Sequence, residues 1–356
     1  MKRPVRIGVV GAGRWAVRHH IPALLANPDA VLVAVADTDP TRLDRVTELF
    51  DLRHRYDCAD ALFDAQPLDG VVIAVPHVAH FAAARAALKR GVHVLVEKPM
   101  TLQGAHAWDL VARARAARLH LVVGYPYHFS RHVARARTIV ASGRLGPLNL
   151  INVLYCSARS HLYRPGPRGP DDPNPRTYAD PAVAGGGQGQ TEVTHALALL
   201  LHVTGLRATR VSAHMRDLDY PVDVIDTMMV EFEGGCVGTL ASIGVIPSGQ
   251  PEHRQFRYFG SAGMVTHDLA TGALTGTSAG QSIRTRATSA DDIYPAHLPT
   301  AGLVRLLTGG RTNPAPGRLG AEVVSCLEAA YRSARAGGQP AELRRGPDPP
   351  TDRTPR

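Results

Sequence analysis

Residues 5–16 read VRIGVVGAGRWA: a mostly apolar run, then Gly11, Gly13 and Ala16 at the spacing G-x-G-x-x-A. A run of this kind that feeds a glycine turn and then a helix leaves few folds open. Gly11 permits a sharp bend, Gly13 lets the backbone come close to a ligand, and Ala16 keeps helix and strand close. Asp37 ends the next apolar run, about 20 residues farther on, where a carboxylate accepts hydrogen bonds from a ribose. The amides that open the helix suit a pyrophosphate. Together these positions predict a bound dinucleotide, with Arg14 and Trp15 in the same turn. A tight strand–helix turn without a cofactor is the alternative.

A carboxylate at Asp37 repels a 2′-phosphate, and Thr38 rather than an arginine follows it. That combination favours NAD over NADP, with Arg42 acting in the other direction.

Further apolar runs at 31–36, 71–75, 92–96 and 119–124 alternate with helical patterns such as HVAHFAAARAALKRG, closed by Gly91. Apolar strands without alternation, separated by helices, predict a doubly wound parallel sheet covered on both faces. Such sheets bind ligands at the carboxyl ends of their strands. After about residue 125 the pattern changes. A helix candidate at 131–142, a long strand from 147, a Pro/Gly/Arg-rich stretch at 160–187 and a helix at 190–203 follow in order. Strand candidates at 208–216, 224–233, 236–246, 254–260 and 263–267 then come in succession, which predicts an antiparallel sheet. Helix candidates at 297–309 and 318–336 close the pattern. The expected organisation is a Rossmann domain over 1–125 and an α/β domain over 126–342. The Pro/Arg-rich end, 343–356, is expected to be a disordered tail.

Hydrophobic residues make up 44% and charged residues 20%, as in a soluble globular protein. No apolar run reaches the roughly 20 residues that span a bilayer. The start of the chain reads as a buried strand rather than a signal peptide. Cys58, Cys156, Cys236 and Cys326 are far apart, without metal-ligand spacing, so reduced structural thiols in a cytoplasmic protein and no metal are expected. The formal charge of +9 raises nucleic acid as a partner, but the arginines are scattered and no aromatic-interleaved basic motif accompanies them.

Lysine occurs only at Lys2, Lys89 and Lys98 in a chain with 40 Lys+Arg. Lys98 ends the run HVLVEKP, on the rim where the cofactor is expected. A compact ammonium there donates to an oxygen that gains charge during hydride transfer, which a planar, always-charged guanidinium does poorly. An exposed Lys–Glu pair is the plainer alternative. Downstream, GGGQGQTEVTH puts Gly185, Gly186 and Gly187 before a helix on which Gln188, Thr191, Glu192 and His195 fall on one face. His195 is the acid/base candidate of that helix, unless it is a structural histidine.

The segments GVVGAGRWA, Asp37, AVPHVAH, VEKPM, VGYPYHF and GGG…H occur in the order found in the Gfo/Idh/MocA family of oxidoreductases, which this chain resembles over about residues 5–340. The resemblance implies a Rossmann domain followed by an α/β domain built on an open, mostly antiparallel sheet, whose outer face joins homodimers or homotetramers. It implies hydride transfer at a ring carbinol or ketone of a sugar or cyclitol. Lys98 lies beside the reacting oxygen and His195 is the proton acceptor in that reading. Pro76, His80 and Glu97 border the cofactor, and Tyr125 and His128 line the mouth of the site. One departure is Thr191, where many members carry an aspartate; Glu192 is its nearest substitute. A second is Pro126 and His128, where asparagine and arginine are frequent.

His161, Tyr163, Arg164, Arg168 and Tyr178, with neighbouring arginines, lie just before the catalytic helix. Folded over the site they would hold an anionic sugar; a solvated basic loop or an oligomer contact is the alternative. Two other functions remain open on the same fold. One is an NAD-retaining hydrolase or lyase that oxidises its substrate transiently, and the other is a non-catalytic sugar-sensing regulator.

Overall fold

A computed structural model describes residues 3–166, 174, 176–344 and 346, and folds them around two sheets. Arg168 and most of the expected tail, 345 and 347–356, lie outside the described residues.

The first sheet has six parallel strands in the order β3-β2-β1-β4-β5-β6. They are β1 (Val5–Val10), β2 (Ala30–Ala36), β3 (Arg55–Tyr56), β4 (Gly70–Ile73), β5 (His93–Val96) and β6 (Leu121–Val123). β4, β6 and nearly all of β1 and β5 are buried, as an apolar strand covered on both faces requires. β3 was not expected, because two residues carry no pattern. The strand order reverses between β1 and β4, so the crevice at their carboxyl ends is the ligand site of such a sheet. The expected glycine turn follows β1 there.

The expected boundary at residue 126 is corrected in one respect. Helix Leu298–Leu307, assigned from sequence to the second domain, packs on β4, β5 and β6 and on helix Ile21–Leu25. Its apolar side, Leu303, Val304 and Leu306, is buried there. The segment after it covers the edge of β6: the Val123 amide donates to Ala315 O at 2.9 Å, and Asn313 Nδ2 donates to Leu121 O at 3.2 Å. An open sheet edge exposes unpaired amides and carbonyls, and this return of the chain satisfies them.

The second sheet has nine strands in the order β14-β13-β12-β11-β7-β10-β9-β8-β15. These are β7 (Leu148–Cys156), β8 (Ala208–Arg216), β9 (Ile225–Phe232), β10 (Val237–Ile243), β11 (His253–Gly260), β12 (Gly263–Asp268), β13 (Leu274–Ser278), β14 (Gln281–Arg284) and β15 (Ala341–Glu342). β7 and β10 run parallel; the other pairs are antiparallel. β13, β14 and β15 escaped the sequence reading because they are short and polar. At the start of the expected tail, the Leu343 amide donates to Thr209 O at 3.0 Å, which continues the β8–β15 pairing. Burial alternates residue by residue along β9 and β10, so this sheet has one packed and one open face. Helix Gly317–Arg335 packs on β8, on helix Thr194–Thr204 and on helix Gly104–Ala116 of the first domain. Leu150, Leu154, Met229 and Met264 stand 36–43% exposed.

Candidate active site

The turn after β1 has the geometry its glycines predict. Gly11 has φ +101°, and a Cβ there would collide with the carbonyl of Ala74 beyond β4. A Cβ on Gly13 would meet nothing within 4 Å, so its backbone faces open space. Ala16 is fully buried. The Asp37 carboxylate accepts from the amides of Ala12 (2.7 Å) and Asp39 (2.9 Å), which fixes it beside the turn. Thr38 is exposed, and Arg42 is 3.3 Å from Asp39, which compensates its charge. An open glycine backbone beside a pinned carboxylate fits the phosphates and ribose of a dinucleotide. Helix formation after the turn starts as a π turn, Ala16–His20, a form common at functional sites.

Trp15 and Glu97 connect this turn to the EKP segment. Trp15 Nε1 donates to Glu97 Oε1 at 3.1 Å, His20 Nε2 stands 3.1 Å from the same oxygen, and the Lys98 amide donates to Oε2 at 3.2 Å. Burial raises the Glu97 pKa, but His20 and the Lys98 charge outweigh it and hold the group below its ordinary value. The expectation that Glu97 binds cofactor is therefore corrected: its oxygens are taken by protein donors. His80 is corrected too. It is fully buried, with Nδ1 2.7 Å from Pro99 O and Nε2 2.9 Å from Val75 O, so it ties the loops after β4 and β5 together. Pro76 is half-buried in the first of those loops. His77 Nδ1 lies 3.0 Å from Ala184 O, and burial pushes its pKa down to about 3. The Lys98–Pro99 peptide is cis.

The glycines before helix Thr194–Thr204 are clamped from below. Asp223 accepts from the amides of Gly187 and Gly189, both at 2.8 Å, and from the Tyr331 hydroxyl at 2.9 Å. A π turn, Gly189–Val193, then leads into helix Thr194–Thr204. This wider turn alters the spacing that placed Gln188, Thr191, Glu192 and His195 on one face. Gln188 is buried and bonded to Tyr163 and Ser242. Glu192 turns to Arg159 (3.1 Å) and Arg254 (3.7 Å). As a carboxylate to support His195 it is thus corrected. Thr191 contributes its carbonyl, which accepts from Lys98 Nζ at 3.0 Å.

Lys98 and His195 are brought to one place. Lys98 is half-buried, and burial lowers its pKa against the opposing charges of Glu192 and Glu97. His195 is 5% exposed. Its Nε2 lies 3.4 Å from the Tyr294 hydroxyl, and its ring packs edge-on to Tyr125, Tyr127 and Tyr294. Burial, then Lys98 and Arg254, push its pKa well below the ordinary imidazole value, so the ring is neutral.

Of the expected substrate residues, few line this place. Tyr125 is buried, with its hydroxyl 3.2 Å from Thr194 Oγ1. His128 is buried and stacks on His202 at 4.4 Å, which corrects its assignment to the mouth of the site. Tyr163 is core, packed with Val222 and Val224. Arg164 lies on the Tyr220 ring and donates to its hydroxyl at 3.1 Å. His161 is exposed, and the Tyr178 ring is 5.7 Å from that of His77. Arg159 bonds Glu192 and Glu252, and Arg176 bonds Asp180, so the arginine set expected to hold an anion is largely compensated.

Sequence reasoning missed Tyr127, Tyr294 and Arg254. Arg254 donates to the Tyr127 hydroxyl (3.1 Å), pairs with Glu252 (2.5 Å) and lies over the Tyr155 ring. Tyr127 was within reach, inside the VGYPYHF segment; Tyr294 and Arg254 lie in stretches without a motif. Among the described residues no group of three or more His, Cys, Asp or Glu is placed to hold a metal, and no helix is long and apolar enough to cross a membrane.

Comparison with known proteins finds relatives of both halves of the chain. Residues 5–125 match the oxidoreductase family with an NAD-binding Rossmann fold, and residues 133–266 match the GFO/IDH/MocA C-terminal domain. A dTDP-3,4-didehydro-2,6-dideoxy-alpha-D-glucose 3-reductase of Streptomyces antibioticus is 35% identical over 152 residues, 42% of this chain and 46% of that protein. An inositol 2-dehydrogenase of Rhizobium meliloti is 29% identical over 149 residues, 42% and 44% of the two chains. The chain thus spans somewhat under half the length of these relatives. An inositol dehydrogenase homolog from Azotobacter vinelandii, crystallised with NAD+, superposes with TM-score 0.79 at 21% identity over 96% of this chain and 98% of its own, which shows a shared fold. With both halves matched in order, the chain belongs to the GFO/IDH/MocA family of oxidoreductases.

Proposed function

We propose that this chain transfers a hydride between a nicotinamide cofactor and a ring carbinol or ketone of a sugar or cyclitol. The observation that carries this reading is Lys98, whose Nζ donates to Thr191 O and whose charge acts on His195 four residues farther on, at the rim to which Trp15 and Glu97 tie the glycine turn. Gly11, Gly13 and Asp37 would hold the dinucleotide, and bound nicotinamide would give or accept the hydride. Lys98 donates a hydrogen bond to the substrate oxygen as it gains charge. Neutral His195 is the second proton-handling group. Asp37, with Arg42 compensated by Asp39, favours NAD over NADP.

The compensated arginines favour a neutral polyol over an anionic sugar. The open face of the second sheet, with Leu150, Leu154, Met229 and Met264, suits a second copy of the chain; a monomer in sedimentation would count against that. Buried Cys156, Cys236 and Cys326, all free, suit the cytoplasm.

The test is Lys98→Ala. We expect NADH to bind wild type and variant alike, and more tightly than NADPH, in a fluorescence titration. Turnover on a panel of neutral sugars and cyclitols should fall on the order of 10²–10⁴-fold in the variant. An unchanged rate would remove Lys98 from the chemistry, and tenfold tighter NADPH would reverse the cofactor assignment.

A further inference from the structure

Tyr294 approaches His195 from a segment 99 residues along the chain. Its hydroxyl is 3.4 Å from Nε2, and such contacts are often long before substrate binds. The ring is held edge-on against Tyr127 at 4.8 Å and against Trp15 of the glycine turn at 6.4 Å.

The segment that carries Tyr294 is pinned by polar contacts. Asp292 accepts from the Arg131 amide at 3.1 and 3.2 Å, where helix Arg131–Ala141 starts, and from the Thr288 hydroxyl at 2.8 Å. Ile293 O is 3.2 Å from His132 Nε2, and His132 Nδ1 is 2.8 Å from His267 Nε2. One proton arrangement serves both contacts: His132 donates from Nε2 and accepts at Nδ1 from His267. His267 Nδ1, which has no partner, is then a bare lone pair. That arrangement is the cheaper one, because orphaned buried N–H groups are rarer than under-satisfied acceptors.

The same argument fixes His195. Its Nδ1 is buried without a partner, so a proton there would be an orphaned donor. The proton therefore sits on Nε2 and points at Tyr294. Among the described residues no carboxylate bonds the ring: residue 191 is Thr191, and Glu192 is bonded to Arg159 and Arg254.

We propose that Tyr294 is a positioning residue of this site: its oxygen accepts the Nε2 proton of His195 and holds the imidazole in that tautomer. That His195 serves the reaction rests on the Lys98–His195 reading above; its tautomer does not.

The experiment uses the whole chain labelled with ¹⁵N-histidine, with His195→Asn identifying the His195 signals. Long-range ¹H–¹⁵N spectra should show His195 in wild type as the Nε2–H tautomer alone. In Tyr294→Phe they should show a mixture or the other tautomer, with His132 and His267 unmoved. An Nδ1–H tautomer in wild type, or an unchanged His195 in Tyr294→Phe, overturns the proposal. Should Tyr294→Phe fail to fold, 3-fluorotyrosine at 294 weakens the same acceptor oxygen and has to shift the Nε2 proton; no shift overturns it equally. No substrate enters this measurement, so its failure leaves the oxidoreductase reading standing. Failure of wild type to bind NADH would count against that reading alone.

Discussion

Glu97 is a residue whose charge is fully used by its surroundings. Its carboxylate gathers Trp15, His20 and the Lys98 amide, which belong to the glycine turn, the helix after it and the EKP segment. Hydrogen bonds to a charged group are each worth about 1.5–3 kcal/mol. Glu97→Gln keeps the size but replaces one acceptor oxygen with a donor that faces the same donors. We expect a loss of about 1–3 kcal/mol in stability and weaker NADH binding, because Trp15 loses its anchor. Equal melting temperature and equal NADH affinity would show that the carboxylate is not the tie. The residue scale also shows why polar side chains mislead a reader of sequence. His80 and His128 were assigned to ligands by the family resemblance and Tyr163 by its place in the basic loop, yet each is buried against protein partners.

At the scale of elements, the helix that bears His195 depends on what lies beneath its start. Asp223 binds the amides of Gly187 and Gly189 and the Tyr331 hydroxyl, and bulk at Gly186 or Gly189 would strike Tyr331. Asp223→Ala leaves those buried donors unsatisfied. The expected cost is about 1–3 kcal/mol for each group left without water. Amide exchange at 187–195 should accelerate and turnover should fall, with NADH affinity kept. Unchanged exchange there would contradict the clamp. The strands of the first sheet, β3 apart, were legible because each is a short apolar run between turn residues. The π turn was not, since one residue more per turn has no sequence signature, and reading GQTEV as an α turn put Glu192 beside His195. Tyr294 and Arg254 were illegible for another reason: only the fold brings their distant segments to the helix.

For the whole molecule, the buried histidines set a limit in acid. Burial pushes His77 and His267 to about 3 and His202 to about 4. Unfolded imidazoles titrate near about 6.5. Between these values the unfolded chain binds protons that the folded chain does not, so stability rises with pH and is lost as pH falls below about 6.5. Each group contributes about 1.4 kcal/mol per pH unit across that window. Melting curves at pH 7.5, 6 and 5 should show a nearly flat upper range and then a steep drop in melting temperature. A protein as stable at pH 5 as at 7.5 would mean that these rings titrate freely.

The return of helix Leu298–Leu307 to the first sheet bears on how such a chain can be cut and recombined. The nucleotide-binding half is not one continuous piece of sequence, because part of its cover is supplied by residues 298–316, after most of the second sheet. A fragment ending at residue 125 would carry the right motif and an uncovered apolar surface. A chimera that exchanges the substrate half has to make three joins rather than one, keeping 298–316 with the recipient while 126–297 and 317–342 are exchanged. Grafting at the single junction that sequence alone suggests would transplant a lid onto a box it was not shaped for.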